Sequence, residues 1–179
     1  YGKLDDNLVS INAFPSLVDN GTLLSKVGKE MNALEVFSEK VGSTVYYGPG
    51  AGPEPTASAV IADLVDIAKG GWDLEINSNS DNALQLSNLG KSQRYFRLQV
   101  ENKTGVIANI SSIFAQNNIS IESLIQHEAK AKENLESIPV VIVSGEITQD
   151  EASSLQSVLE DLNEVISDVK NFRIHSSNI

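Results

Sequence analysis

The sequence predicts an α+β protein, and three observations carry that expectation. Tyr95-Phe96-Arg97-Leu98-Gln99-Val100 alternates with period 2, as a half-buried strand does. From Val106 to Asn117 the apolar residues fall at 106, 107, 110, 113 and 114, which is helical spacing. From Arg94 to His175 the text then reads strand, helix, strand, strand, helix, strand, a weak repeat of two βαβ halves. That order predicts a ferredoxin-like βαββαβ sandwich: two helices on one face of a four-stranded antiparallel sheet. Right-handed crossovers place its first and third strands at the centre.

The elements follow in order. Asn7 to Ile11 reads as a short strand and Thr22 to Val27 as a helical turn. Asn32 to Phe37 and Thr44 to Tyr47 read as strands joined by the turn Glu39-Lys40-Val41-Gly42. Pro55 and Thr56 start a helix over 56–69, and Gly70-Gly71 stop it. Its apolar residues Ala59, Val60, Ile61, Leu64, Val65, Ile67 and Ala68 exceed a single stripe, which predicts burial on most sides. Residues 71–93 are rich in Asn, Ser, Asp and Gly and hold no period, so they read as a linker with Trp72 packed on one neighbour. Beyond the strand at 95–100, Asn102-Lys103-Thr104-Gly105 is a turn and Ile119 to Gln126 a strand. Lys130 to Glu136 is a charged turn and Ile138 to Ser144 a continuous apolar strand. Thr148 caps a helix to Leu162 with Asp150 and Glu151 in its first turn, and Val165 to Ile174 is the last strand. The chain thus divides into 1–70, a linker over 71–93, and 94–175.

Charge and composition narrow the function. The 179 residues carry a formal net charge of −11, and each of the three segments is acidic: −4, −2 and −5 in chain order. No segment offers the basic footprint of a nucleic-acid binder, and an anionic membrane would repel the chain. There is no Cys, so thiol chemistry is excluded and a cytoplasmic setting fits. His127 and His175 are too far apart for zinc-like spacing, so no metal is expected. No apolar run approaches the length of a membrane-spanning helix. The opening Tyr1-Gly2-Lys3 lacks an initiator Met and a signal-peptide pattern, which suggests a piece of a longer protein.

Two stretches can carry chemistry. Tyr46 to Gly70, YYGPGAGPEPTASAVIADLVDIAKG, places Gly48, Gly50 and Gly52 among prolines just before a helix. This is neither G-x-G-x-x-G nor a P-loop. It is a tight corner or a place where something approaches the backbone closely. Asn102 to Gly105 sets backbone N–H groups at a helix N-terminus, which suits a carboxylate, and Asn102 adds a donor and an acceptor. An ordinary strand-to-helix turn with an Asn cap accounts for the same residues.

YFRLQVENKTGVIANISSIFAQNNISIESLIQ resembles the start of an ACT domain, a small amino-acid-binding regulatory module. The family turn, Asp or Asn, two residues, then Gly-Val-Leu/Ile-Ala, is matched by Asn102, Lys103, Thr104, Gly105, Val106, Ile107 and Ala108. Thr104 stands where the family usually has Pro, which loosens the loop. The resemblance covers 94–175 and implies effector-facing residues Asn102, Gly105, Val106 and Ser120, with Asn102 and Ser120 meeting the ligand across a dimer interface.

The glycine stretch is similar to the end of the catalytic region of homoserine dehydrogenases. Matches fall at Tyr47, Gly48, Gly50, Ala51, Gly52, Pro55, Thr56, Ala57, Ser58, Ala59, Val60 and Asp63, and upstream at Asn32-Ala33. The resemblance implies a loop passing close to the nicotinamide of NADP or NAD, with Gly50, Ala51, Gly52 and Thr56 facing the cofactor. It implies that the helix packs back on a Rossmann domain. It places the substrate carboxylates and catalytic lysines before Tyr1, so no catalytic residue is named. A partial catalytic segment followed by a ferredoxin-like ACT domain is the fold so implied. The parent would interconvert aspartate semialdehyde and homoserine, and this chain would bind the cofactor poorly and be inactive alone. Threonine is the implied feedback effector and a homo-oligomer, dimer or tetramer, the implied assembly. The alternative is a stand-alone ACT-type module that binds an amino acid or only dimerises. It leaves Tyr46–Asp63 unexplained. Other ACT-bearing enzymes, such as phosphoglycerate dehydrogenase, fit the tail but lack the glycine-proline-threonine loop.

Overall fold

A computed structural model of the chain describes residues 2–5, 7–70, 85–87, 90–126 and 136–175. In chain order the elements are β1 (Gly2–Asp5), β2 (Leu8–Ile11), β3 (Ser16–Val18), a 3-10 turn (Leu24–Lys26), β4 (Met31–Ser38), β5 (Gly42–Pro49) and α1 (Pro53–Ala68). They continue with β6 (Gln85–Leu86), β7 (Arg94–Glu101), α2 (Val106–Gln116), β8 (Ile121–Gln126), β9 (Ser137–Ser144), α3 (Gln149–Glu160) and β10 (Lys170–His175). The described residues of 2–17 and 85–175 make one compact unit, and residues 18–70 belong to a second.

In the first unit the alternation at 94–101 is realised as β7. Phe96, Leu98 and Val100 turn to the helices and are buried, while Arg97 on the other face is exposed. β7 pairs antiparallel with β9 from Tyr95↔Val143 to Glu101↔Ser137, and the sheet order is β3-β10-β7-β9-β8. The first and third strands of the βαββαβ unit are central, as the crossover rule requires. Against them pack Val106, Ile110 and Phe114 of α2 and Ala152, Leu155 and Leu159 of α3. Phe96 and Phe114 meet edge to face, ring centroids 5.8 Å apart. α2 ends at Asn117-Asn118, with Asn118 in the left-handed region at φ 54°, which Asn tolerates. α3 has a complete capping box between Thr148 and Glu151.

Several expectations are corrected. The sheet has five strands, because β3 joins the edge beside β10. Three residues with no flanking period carry too little pattern to mark a strand. Within 71–93, Gln85–Leu86 forms β6, parallel to β2, through backbone bonds that no side-chain pattern announces. The last strand starts at Lys170, not Val165. Val165 makes one bridge to Val100, and then Val169 ties its backbone to α3 through Glu160 Oε1 and Gln156 Nε2. Trp72, His127 and residues 130–135 lie outside the described residues.

In the second unit β4 and β5 form an antiparallel hairpin from Met31↔Pro49 to Ser38↔Gly42, as the sequence predicts. Gly42 at φ +76° closes its turn. α1 begins at Pro53 rather than at 56, since Pro at N1 already has the helical φ and no N–H to satisfy. The burial expected for α1 fails: no residue of it is buried, and Val60, Ile61, Leu64, Val65 and Ile67 are all exposed. Apolar excess in a helix records what the helix is suited to touch, not what one chain supplies. Among the described residues no helix is long and apolar enough to cross a membrane.

Two outcomes test this packing. Phe114→Ala should cost about 3–5 kcal/mol in urea denaturation, the usual loss for a fully buried aromatic. Hydrogen bonds from the Thr148 backbone and then its hydroxyl hold the Glu151 carboxyl below its ordinary value of 4.5. A depressed carboxyl stabilises above its unfolded value and loses that contribution as pH falls through the lower folded value. The stability gap between the native chain and Glu151→Gln should therefore be full at neutral pH and shrink as pH drops below the usual carboxylate range.

Candidate functional site

The glycine loop is built from the hairpin upward. Asn32 in β4 lies opposite Gly48 in β5, and the Gly50 N–H donates to the Glu30 carbonyl at 2.8 Å. The Asn32 side chain then occupies the space beside Gly50. A Cβ at Gly50 would sit 1.8 Å from Asn32 Nδ2, so only glycine fits. Gly52 has φ 123° and ψ 160°, backbone that L-residues rarely adopt, and its carbonyl accepts the Thr56 N–H at 3.2 Å. Gly50, Ala51, Gly52 and Thr56 are all exposed. The four predicted residues are thus brought together on one corner.

The chemistry of this corner is selective. Pro53 and Pro55 have no N–H, so the first turn of α1 offers few of the donors that make a helix start an anion cradle, and Glu54 adds a negative charge there. The corner suits close contact with a flat, uncharged group against bare main chain. It does not suit a diphosphate. The residue that sequence reasoning did not place in the site is Asn32, whose one signal was its match in the Asn-Ala pair.

The second candidate lies in the first unit. Gly105 caps α2 at φ 96° in the left-handed region, and no side chain closes the helix start. This contrasts with α3, whose N-terminus is covered by its own capping box. The turn is held by Asn102 N–H to the Glu136 carbonyl at 2.9 Å and by Lys103 N–H to the Glu101 carbonyl at 3.0 Å. Lys103 Nζ lies 2.8 Å from Glu101 Oε2, and that hydrogen bond first, with the Glu101 charge second, holds its pKa above the ordinary value. Asn109 Nδ2 donates to Glu164 Oε1 at 3.0 Å. The helix start favours a carboxylate, and Glu101 and Glu164 favour a cation, so the turn presents both signs that a zwitterion needs.

Ser120 is elsewhere. It precedes β8, its carbonyl accepts the Gly145 N–H at 2.9 Å, and its hydroxyl packs where a Cβ on Gly145 would fall. Ile121 pairs with Ser144 at one end of β9, whereas Asn102 meets Glu136 at the other. Seven residue steps of strand separate the two ends, about 24 Å. One chain therefore groups Asn102, Gly105 and Val106 and leaves Ser120 apart. Among the described residues no cluster of His, Cys, Asp and Glu could hold a metal.

Comparison with known proteins gives two family matches: homoserine dehydrogenase over residues 2–65 and ACT domain over residues 94–167. Homoserine dehydrogenase of Helicobacter pylori is 38% identical over 178 residues, covering 97% of this chain and 41% of that protein. The Pseudomonas aeruginosa enzyme is 32% identical over 94% of this chain and 41% of its own length. The crystal structure of a homoserine dehydrogenase from Thiobacillus denitrificans superposes with a TM-score of 0.78 at 27% identity, over 99% of this chain and 41% of that one. The chain therefore spans about two fifths of the length of these relatives.

The Gly50–Asn32 contact is open to test. Gly50→Ala should lower the thermal stability of the hairpin and shift the Asn32 side-chain amide resonances. Adding Asn32→Ala should recover much of that loss, a coupling read from the double-mutant cycle.

Proposed function

The chain belongs to the homoserine dehydrogenase family through residues 2–65 and carries an ACT domain at 94–167, and from this premise we propose that it supplies the cofactor-facing loop and the regulatory domain of an NAD(P)-dependent homoserine dehydrogenase. In this reading 1–70 is the end of the catalytic region, 71–93 a connection and 94–175 the sensor. The whole enzyme interconverts aspartate semialdehyde and homoserine in the cytoplasm, on the route to threonine, methionine and isoleucine. The observation that carries it is the corner at Gly50–Gly52, where side-chain-free main chain is exposed and fixed by Asn32.

The residues fit the nicotinamide end of the dinucleotide and not its diphosphate. The cofactor, when bound, supplies the hydride. Gly50, Ala51 and Gly52 contribute a surface with no side chain larger than a methyl, and Thr56 sits one turn into the helix behind it. Their part is to bound the ring and exclude water from its face. The diphosphate and the proton-transfer group need residues of other chemistry, so turnover by this chain alone with NADPH and aspartate semialdehyde should stay at background.

The ACT domain is read as the threonine sensor. The open start of α2, with Asn102, Gly105 and the main-chain N–H of Val106, whose side chain is in the core, takes the effector carboxylate. Ser120, just before β8 at the opposite end of the sheet, comes from a second copy, so the site is completed only in a homo-oligomer. Threonine should raise the melting temperature of the chain, following RT ln(1 + [L]/Kd), and Asn102→Ala should abolish the shift. Mixing Asn102→Ala chains with Ser120→Ala chains should restore binding at one site per mixed dimer. Absence of recovery in mixtures that do exchange subunits would refute the shared site.

A further inference from the structure

We propose that Arg94 and Arg173 form a binding site for an oxyanion, a carboxylate or phosphate group, at the end of β7 opposite the Asn102–Gly105 turn. The two residues are directly paired across β7 and β10, so their side chains share one face of the sheet. It is the helix-covered face, since Phe96, two residues on from Arg94, is fully buried in the core. Arg94 is 3% exposed and Arg173 7%. Like charges directly opposite repel, and burial removes the water that would soften the repulsion.

Arg173 is fixed in place. Its Nε donates to Ser92 Oγ at 2.6 Å, its Nη2 donates to the Gly90 carbonyl at 2.7 Å, and its guanidinium lies 4.4 Å from the Phe14 ring centre. Arg94 is different. Among the described residues its Nε and Nη2, both buried, have no hydrogen-bond partner, and it makes no ion pair. Burial first, and the Arg173 charge second, pull its pKa down. A guanidinium nevertheless keeps its proton in proteins, so charge removal is not an escape. An anion would satisfy both donors and offset both charges at once. Nε and Nη2 form one edge of the planar fork, the edge that grips a carboxylate or phosphate through two parallel bonds. Gly90 lets the main chain come close to Arg173: a Cβ there would stand 3.1 Å from Arg173 Nη2. No contact of this pair involves the Asn102 turn, and the inference is independent of the effector reading.

The test is thermal unfolding of the whole chain in an oxyanion-free buffer at fixed ionic strength, titrated with inorganic phosphate and, separately, acetate. A saturable rise in melting temperature is expected, absent in Arg94→Met and weakened at least about tenfold in apparent affinity in Arg94→Lys, which keeps the charge but not the fork. Should Arg94→Met fail to fold, the Arg94→Lys comparison decides alone. A rise that follows protein concentration instead of added anion, and that the Arg94 variants lose, assigns the oxyanion to a carboxylate of a second copy. A melting temperature indifferent to phosphate, acetate and protein concentration, or a response equal in all three chains, overturns the site.

Discussion

The antiparallel pairing of β7 with β9 is the constraint on which the rest of the first unit depends. Its register, from Tyr95↔Val143 to Glu101↔Ser137, sends Phe96, Leu98, Val100, Val140 and Ile142 to one face. Shifting it by one residue would turn all five to the opposite face. Both helices dock on this face through fully buried side chains, so their positions follow from the same register. The two ends of the pair then become two chemically distinct places. At the Glu101 end the chain turns through Gly105 into an uncapped helix. At the Arg94 end it leaves two buried guanidinium groups side by side.

The glycine corner obeys a different logic. There the constraint is space rather than apolar burial. Asn32 fills the volume a side chain at position 50 would need, and Gly52 takes backbone angles closed to other residues. The prolines that follow set the helix direction and remove N–H donors at the same time. A corner so built is tightly constrained and poor in hydrogen-bond donors. The exposed apolar residues of α1 show that this unit does not complete a core within its own described residues. Burying each such side chain would be worth roughly 1.5–3 kcal/mol.

Much of this was legible in the sequence, and for identifiable reasons. Periodicity reported β7 and α2 because each has one face in the core and the pattern must match the pleat or the helical turn, and a continuous apolar run reported β9. Thr148 with Glu151 reported the start of α3 because a capping box is local chemistry. β3 and β6 were not legible. They are three and two residues long, and main-chain pairing alone makes them strands. The last strand starts at Lys170 and not at Val165, because Val169 looks like strand text yet bonds to α3. Ser120 and Asn102 lie 18 positions apart in the sequence, and nothing in their spacing says that they occupy opposite ends of a sheet.

By itself the sequence determined the βαββαβ order, the central strands, the glycine corner and the acidic character of the chain. These are local or periodic properties, written residue by residue. The tertiary structure decided what depends on distant pairs: Asn32 filling the space at Gly50, the separation of Ser120 from the α2 turn, and the meeting of Arg94 with Arg173 across two strands 79 positions apart in the chain. A pattern of polarity records which face a residue takes. Which distant residue stands beside it is fixed only when the strands choose their neighbours and their register.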